Sequence, residues 1–521
     1  MLVGHIIPRN SKQYPNRVAI VDGATSYTFR EHETRANRLA NALIDRGLKR
    51  QDRISIFSPN GAPYFEVYGA GEIAGFIVNT VNFRLAPEEV RYILGDADPR
   101  VIFFDAQQTD AMTGIRELLP DVQHFVRIGG RAADGPTWSE PFEQFLAAGS
   151  PDKPAQSPQL EDAAYLIYTS GTTGRPKGVL LGQRAQWLNS LVIAQELNAR
   201  ATDRWLLFMP LFHVGAKYLQ LAHHLAGATI HVHRRFDARA AVTTIEQERI
   251  TRTHFAPTML QSVLELPDID DHDLSSLRMI TYGTAPMSVP LLRRALEKFG
   301  PVFQQRYGST EAAAVTALLA HQHMLDGSPD EVRRLASAGQ PNLMTDVRVV
   351  KDNGEDCAPG EPGELLIRNP DLIMQGYWKN PAATQEVLKN GWFASGDVAT
   401  LDEERFVYIV DRKNEMIISG GENIYPREVE EAIAHHPDVL DVAVIGVPDE
   451  KWGETVMAFV VQREGRTSKS VDMIEHCRNR IASYKKPKRV EFCESLPRMP
   501  SGKIDKRKLR QPYWKGQDRQ V

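Results

Sequence analysis

The sequence predicts an α/β protein: a large N-terminal region of α/β sheets, a small β unit, and a small α+β region at the C-terminal end. Three observations predict this. Over the first two-thirds of the chain, short apolar runs ending in small or polar residues alternate with helical stretches of about 12–20 residues. From about 340 to 410, turn signals with short β-rich runs replace that alternation. Beyond "DRKNEM" the pattern returns to mixed α and β.

Taken in order, residues 28–49 read as an amphipathic helix, with Ala36, Leu39, Ala40 and Leu43 on one face and Gly47 near its end. "DRISIFSP", "VIFFD", "DAAYLIYTS", "RWLLFMP", "ATIHVH" and "LRMITYG" read as strands that run into loops. Their alternation with helices implies a largely parallel sheet, whose ligand-carrying loops follow the C-terminal ends of strands. "DVRVVKDNGEDCAPGEPGELLIRNP" and "GDVATLDEERFVYIVDR" form the antiparallel unit. "PREVEEAIAHHPDVLDVAVIGVPD" is a helix with proline at its start, followed by a strand.

At 521 residues the chain is too long for one ordinary core. Its 42% hydrophobic and 25% charged content is that of a globular protein. The net charge of −4 gives no global attraction to nucleic acid or an anionic membrane. Three widely spaced cysteines exclude a disulfide framework and fit a reducing cytosol, so a cytoplasmic protein is expected. No apolar run reaches the roughly 18 residues of a membrane span. The N-terminal segment brings charge and proline too early for a signal peptide. The basic stretch from Lys485 to Arg510 holds ten Lys/Arg against three Asp/Glu, but lacks the interleaved aromatics of a nucleic-acid site.

Residues 168–178, "YTSGTTGRPKG", surround Gly171 and Gly174 with hydroxyls and end in Lys177-Gly178. Small residues let backbone N–H groups approach an anion, and the lysine adds charge, so the loop reads as a phosphate cradle. It is not the G-x-x-x-x-G-K-[ST] pattern, because glycine follows the lysine. Four more stretches accompany it: "RYGSTE" (306–311), "WFASGDVA" (392–399), "DRKNEMIISGGENIYPREVE" (411–430) and "PRMPSGKIDKRKL" (497–509). Alone, each is an ordinary turn or charged segment. In this order and spacing they resemble the adenylate-forming superfamily: acyl- and aryl-CoA synthetases, luciferases and peptide-synthetase adenylation domains.

That resemblance implies a large adenylation domain over residues 1–411 and a small mobile C-terminal domain over 412–521, hinged near Asn414. It implies ATP, Mg²⁺ and coenzyme A as cofactors and co-substrates. Thr169, Ser170, Gly171, Thr172, Thr173, Gly174 and Lys177 would line the phosphate loop. Thr310 would contact the α-phosphate, and Glu311 would hold Mg²⁺. Tyr307, followed by Gly308, would stack on adenine, with Gly283, Thr284, Ala285 and Pro286 along the base. Asp397 and Arg412 would bind the ribose. Ser395 stands where the family usually has threonine, and Asn414 where it usually has Asp or Lys. His213 would lie by the acyl pocket; read from its own surroundings it could equally be a core histidine. Lys503 would reach the reacting oxygens during adenylation. A rotated domain would bring Gly420, Gly421 and Glu422 to the thiol's path, with Arg84, Trp452 and Lys486 at the nucleotide end of CoA.

The partners implied are a small-molecule carboxylic acid, ATP and CoA, with no nucleic acid and no integral membrane segment; a homodimer is left open. A fatty acid is the first expectation, a hydroxycinnamate, aryl-alkanoate or dicarboxylate the alternative, and a carrier-loading enzyme a more distant one. A luciferase and a non-catalytic nucleotide binder are the other classes. No attachment serine follows Lys503, and Lys177, Glu311, Asp397, Arg412 and Lys503 are all present. Arg306 and Lys217 are cations near the expected acyl pocket. Arg306 is expected to pair with a nearby carboxylate and Lys217 to snorkel to water. The sharper alternative is a second polar group on the substrate. His223, His224, His231 and His233 lack the spacing and carboxylates of a metal site.

Overall fold

The computed structural model describes residues 1–169, 176–285, 287–412, 415–419, 422–449, 452–478, 480–499 and 502–515, and of Ala132, Arg412 and Asn423 the backbone only. Two large sheets dominate. In a nine-stranded sheet, Phe303–Ser309, Met279–Gly283, Arg252–Phe255, Arg204–Leu207, Thr229–Val232 and Val18–Asp22 run parallel. In an eight-stranded sheet, Ala163–Thr169, Ile77–Thr80, Arg53–Phe57, Val101–Asp105 and His124–Ile128 do the same. The six apolar runs read from the sequence all lie in these two sheets.

The helix Phe29–Asp45 shows how locally the elements are specified. Thr28 caps it, accepting from Glu31 N, and the Glu31 carboxylate accepts from Thr28 N in return at 2.8 Å. Ala36, Leu39, Ala40 and Leu43 are its buried face, as their spacing predicts.

Asp346–Val350, Gly363–Arg368, Trp392–Leu401 and Val407–Arg412 form the expected antiparallel unit. Two short pieces of that region join other sheets. Gln340–Pro341 pairs with Ala313–Leu318, and Gly376–Tyr377 pairs with Lys177–Gly182. The second excursion satisfies an edge strand: Gln375 N donates to Leu180 O at 2.8 Å and Trp378 N to Gly178 O at 2.7 Å.

Beyond position 415, the hairpin Val439–Asp449 and Gly453–Gln462 carries Ile417–Ser419 and Arg489–Phe492 beside it. Its alternate residues face two separate apolar clusters, Val444, Val456 and Val460 in one and Ile445, Met457 and Val461 in the other. The main core runs from Val3 to Val407 and joins the two large sheets. Among the described residues, no helix is long and apolar enough to cross a membrane.

Lys217 corrects one expectation. It does not snorkel: it is 1% exposed, on the helix Val214–Ala226, which is buried on nearly every side. With no route to water, its ammonium pairs with the equally buried Glu72 at 2.6 Å. Tyr165 OH also donates to Glu72, at 2.6 Å, and Lys217 Nζ lies 3.9 Å from the Tyr68 ring centre. Burial pushes the Lys217 ammonium below its usual range, and Glu72 opposes that shift. Removing one partner strands a buried charge, so Lys217→Met is expected to cost about 3–5 kcal/mol. Lys217→Met with Glu72→Leu should recover much of the loss in urea midpoint; equal losses in single and double variants would deny the coupling.

Candidate active site

The strand Ala163–Thr169 and its antiparallel neighbour Lys177–Gly182 set Thr169 directly opposite Lys177. The two residues thus form the base of the glycine-rich loop. Ser170, Gly171, Thr172, Thr173 and Gly174 lie outside the described residues, as do Pro286, Asn414, Gly420 and Gly421.

Lys177 Nζ sits 5.2 Å from the centre of the Tyr377 ring, and Tyr377 OH donates to Glu311 Oε1 at 3.1 Å. A cation and a carboxylate from distant segments therefore meet through one tyrosine. Burial, and then the Glu311 charge, push the Tyr377 phenol well above its usual range, so it stays a donor. Thr310 O accepts from Tyr218 OH at 3.5 Å. Sequence reasoning missed Tyr377, because its position depends on the excursion of Gly376–Tyr377 onto a strand some two hundred positions earlier. As for a metal, no group of three or more His, Cys, Asp or Glu gathers among the described residues. A single carboxylate beside a phosphate loop fits Mg²⁺, which keeps waters and shares substrate phosphates.

Tyr307 OH donates to Asp397 Oδ2. Asp397 lies directly opposite Arg412 across the antiparallel pair. Two residues placed at the ribose by resemblance are thus cross-strand neighbours. Ser395, the substitute for threonine, fastens the turn: its hydroxyl accepts from Asp397 N at 3.1 Å and donates to Leu365 O at 2.7 Å. Gly283 pairs in register with Arg306, and a Cβ there would meet Arg306 O at 2.4 Å. The next residue, Thr284, has φ +66°, a left-handed conformation that is strained for a β-branched residue. Ala285 follows it, partly exposed. Gly308 opposes Ala314 at an irregularity in the Phe303–Ser309 strand.

His213 caps the helix Val214–Ala226, its Nδ1 accepting from Gly215 N at 3.2 Å. Burial, with a smaller push from the Lys503 ammonium, brings its pKa to about 4. The imidazole is therefore neutral, with its proton on Nε2. Lys503 is held in a turn in which Met499 N donates to Lys503 O at 2.7 Å and Gly502 has φ +89°. The C-terminal region touches the large one through Gln261 Nε2 to Leu440 O at 2.8 Å, Val289 N to Glu431 Oε1 at 3.0 Å, and Arg463 to Glu265 at 2.9 Å.

Arg306 lies 2.8 Å from Glu196, as expected of it, so both cations have a carboxylate beside them. His223 stacks on Trp205 with centroids 4.7 Å apart, a packing role. Arg84 is exposed after the strand Ile77–Thr80. Trp452 is 42% exposed at the hairpin turn, with Lys488 Nζ 4.9 Å from its ring centre. Lys486 Nζ donates to Ser483 O at 2.8 Å, and Glu422 is exposed in the strand Glu422–Ile424.

Family models for an AMP-binding enzyme and an AMP-binding enzyme C-terminal domain match residues 7–378 and 428–503. The chain belongs to the AMP-binding enzyme family, the adenylate-forming acyl-CoA synthetases. It is 38% identical over 507 residues to a feruloyl-CoA synthase of Amycolatopsis, covering 97% of this chain and 98% of that one. It is 34% identical over 516 residues to a long-chain-fatty-acid–CoA ligase of Mycobacterium tuberculosis, covering 98% of each. The structure of an anthranilate CoA ligase in complex with anthranoyl-AMP superposes with a TM-score of 0.90 at 26% identity, over 98% of this chain and 97% of that one. The chain is thus an AMP-forming acid–thiol ligase.

Proposed function

We propose that this ligase joins an aryl-alkanoic or hydroxycinnamic acid to CoA in the cytoplasm, in two steps. In the first, a carboxylate oxygen bonds to the α-phosphorus of ATP and pyrophosphate leaves. In the second, the CoA sulfur bonds to the acyl carbon and AMP leaves. The observation that carries this reading is the meeting of Lys177 and Glu311, from distant segments, at Tyr377 beside the base of the glycine-rich loop. A carboxylate attacking a polyphosphate meets like-charge repulsion, and a cation at the reacting oxygens relieves it.

Thr169, Ser170, Gly171, Thr172, Thr173, Gly174 and Lys177 hold the β- and γ-phosphates in this reading. Thr310 touches the α-phosphate. Glu311 holds Mg²⁺, which supplies charge neutralisation there. Tyr307 and the Gly283–Pro286 segment hold adenine; Asp397 and Arg412 hold ribose. Rotation at Asn414, between domains 1–411 and 412–521, then replaces Lys503 by Gly420, Gly421 and Glu422. Arg84, Trp452 and Lys486 take the nucleotide end of CoA.

The aryl acid is favoured by the feruloyl-CoA synthase relative and by the buried polar residues His254 and Thr281, hydrogen-bonded to each other in the sheet that also carries Arg306. A fatty acid, the first expectation, is the second reading, favoured by the long-chain relative. The test is mass spectrometry of purified chain with ATP, CoA and a panel of aryl, fatty and dicarboxylic acids. AMP, pyrophosphate and an aryl-CoA thioester are expected. Formation of ADP, or AMP without loss of CoA, would overturn the two-step ligase; thioester from alkyl acids alone would overturn the aryl choice.

A further inference from the structure

His254, Thr281 and Gln304 form a row across three parallel strands: His254 is in register with Thr281, and Thr281 with Gln304. Register partners share a sheet face, and Arg306, two residues beyond Gln304, shares it too. His254 stands one residue from the C-terminal end of its strand, toward the ligand-bearing side of a parallel sheet, with Thr281 at the middle of the neighbouring strand. All three of the row are at most 5% exposed.

The hydrogen bonds fix the state of His254. Thr281 Oγ1 donates to Thr253 O at 3.2 Å, so it accepts from His254 Nδ1–H at 3.0 Å. Burial, His213 and Arg306 together bring the imidazole pKa to about 3, so it is neutral at working pH. His254 Nε2 is then a bare lone pair. It is buried and has no hydrogen-bond partner among the described residues. The same holds for Gln304 Nε2 and for Nη1 and Nη2 of Arg306, whose ion pair with Glu196 is close but not aligned as a hydrogen bond.

An acceptor and several donors left bare in one buried region are costly. An alkyl chain would leave the His254 and Gln304 atoms unpaired and Arg306 with only its ion pair. A hydroxyl is both donor and acceptor, and would satisfy the two kinds together. We propose that His254 is a specificity residue whose Nε2 accepts from a hydroxyl on the acyl portion of the substrate, with Arg306 or Gln304 donating to the same oxygen. The substrate class is a hydroxyl-bearing, in the first instance hydroxyaryl, carboxylic acid. This rests on the aryl-acid reading above and goes beyond it in naming the group that is recognised and the atom that recognises it.

The test compares kcat/KM for 4-hydroxycinnamate, cinnamate and 4-methoxycinnamate in wild type and in His254→Leu. Wild type is expected to favour the hydroxy acid over both others by about tenfold or more. His254→Leu should bring that ratio close to one by lowering kcat/KM for the hydroxy acid. Cinnamate and 4-hydroxycinnamate used equally by wild type would overturn the proposal while leaving the aryl reading intact. An unchanged preference in the variant would overturn the role of His254. If no aryl acid turns over, the aryl reading fails and the same comparison is made with octanoate and 8-hydroxyoctanoate; equal rates there overturn the hydroxyl site as well. The wild-type ratios need no variant, so poor folding of His254→Leu leaves the hydroxyl site exposed to refutation.

Discussion

Lys503→Ala is expected to slow acyl-AMP formation by about a hundred- to a thousandfold, the cost of losing a preorganised charge at a developing anion. Conversion of supplied acyl-AMP and CoA to thioester should stay close to the wild-type rate. The asymmetry follows from the role proposed above for Lys503, in which the lysine serves the step where carboxylate oxygen meets phosphorus. In that proposal the thiol step has no use for it, because the other face of the C-terminal region would then be turned inward. Pyrophosphate release measures the first half-reaction, and thioester absorbance with synthetic acyl-AMP measures the second. Equal losses in both would mean that Lys503 acts through stability or through both orientations, and the two-face reading would fall.

Glu311→Gln is expected to slow adenylation by about ten- to a hundredfold, the scale of one charge-assisted contact, and to raise the Mg²⁺ concentration needed for half-maximal rate. Glutamine keeps an oxygen to accept from Tyr377 OH, which lies 3.1 Å from Glu311 Oε1, so the local shape survives and the charge does not. Tyr377→Phe is the complementary variant. It removes the phenol and leaves the carboxylate, so its Mg²⁺ titration should resemble wild type. An unchanged titration in Glu311→Gln would put the metal on other ligands.

Much of the fold was legible because its signals are local. The six apolar runs became strands of the two large sheets, and the spacing of Ala36, Leu39, Ala40 and Leu43 gave the buried face of Phe29–Asp45. The antiparallel unit was legible from its turns. Gly376–Tyr377 was not, because an edge strand far upstream decides where it goes. The site divides the same way. Residues inside motifs, such as Asp397 and Lys503, could be singled out by resemblance. Tyr377 and His254 could not: each acquires its surroundings from pairing between strands distant in sequence. Lys217 was misread for a related reason. Whether a lysine reaches water depends on what covers its helix, and the Glu72 carboxylate that meets it lies on another helix, Ala62–Ala74.

Among the described residues, the core that ends at Val407 and the clusters that begin at Ile417 have no buried apolar residue in common. The ties between the two regions include four hydrogen bonds, Gln261 to Leu440, Val289 to Glu431 and Arg427 to both Ile409 and Asp411, and one surface ion pair. Turning one region against the other therefore trades polar partners for water and uncovers little hydrocarbon. The heat capacity of such a turn is small, since apolar exposure is what raises it. The Arg463–Glu265 pair is worth about 0–1 kcal/mol and weakens with salt. In the proposed rotation, modest differences in how each orientation holds a ligand would then suffice to choose between them. A catalyst that passed through both in every turnover, as proposed, would need two orientations of similar free energy, since a deep well on either side would become its slowest step.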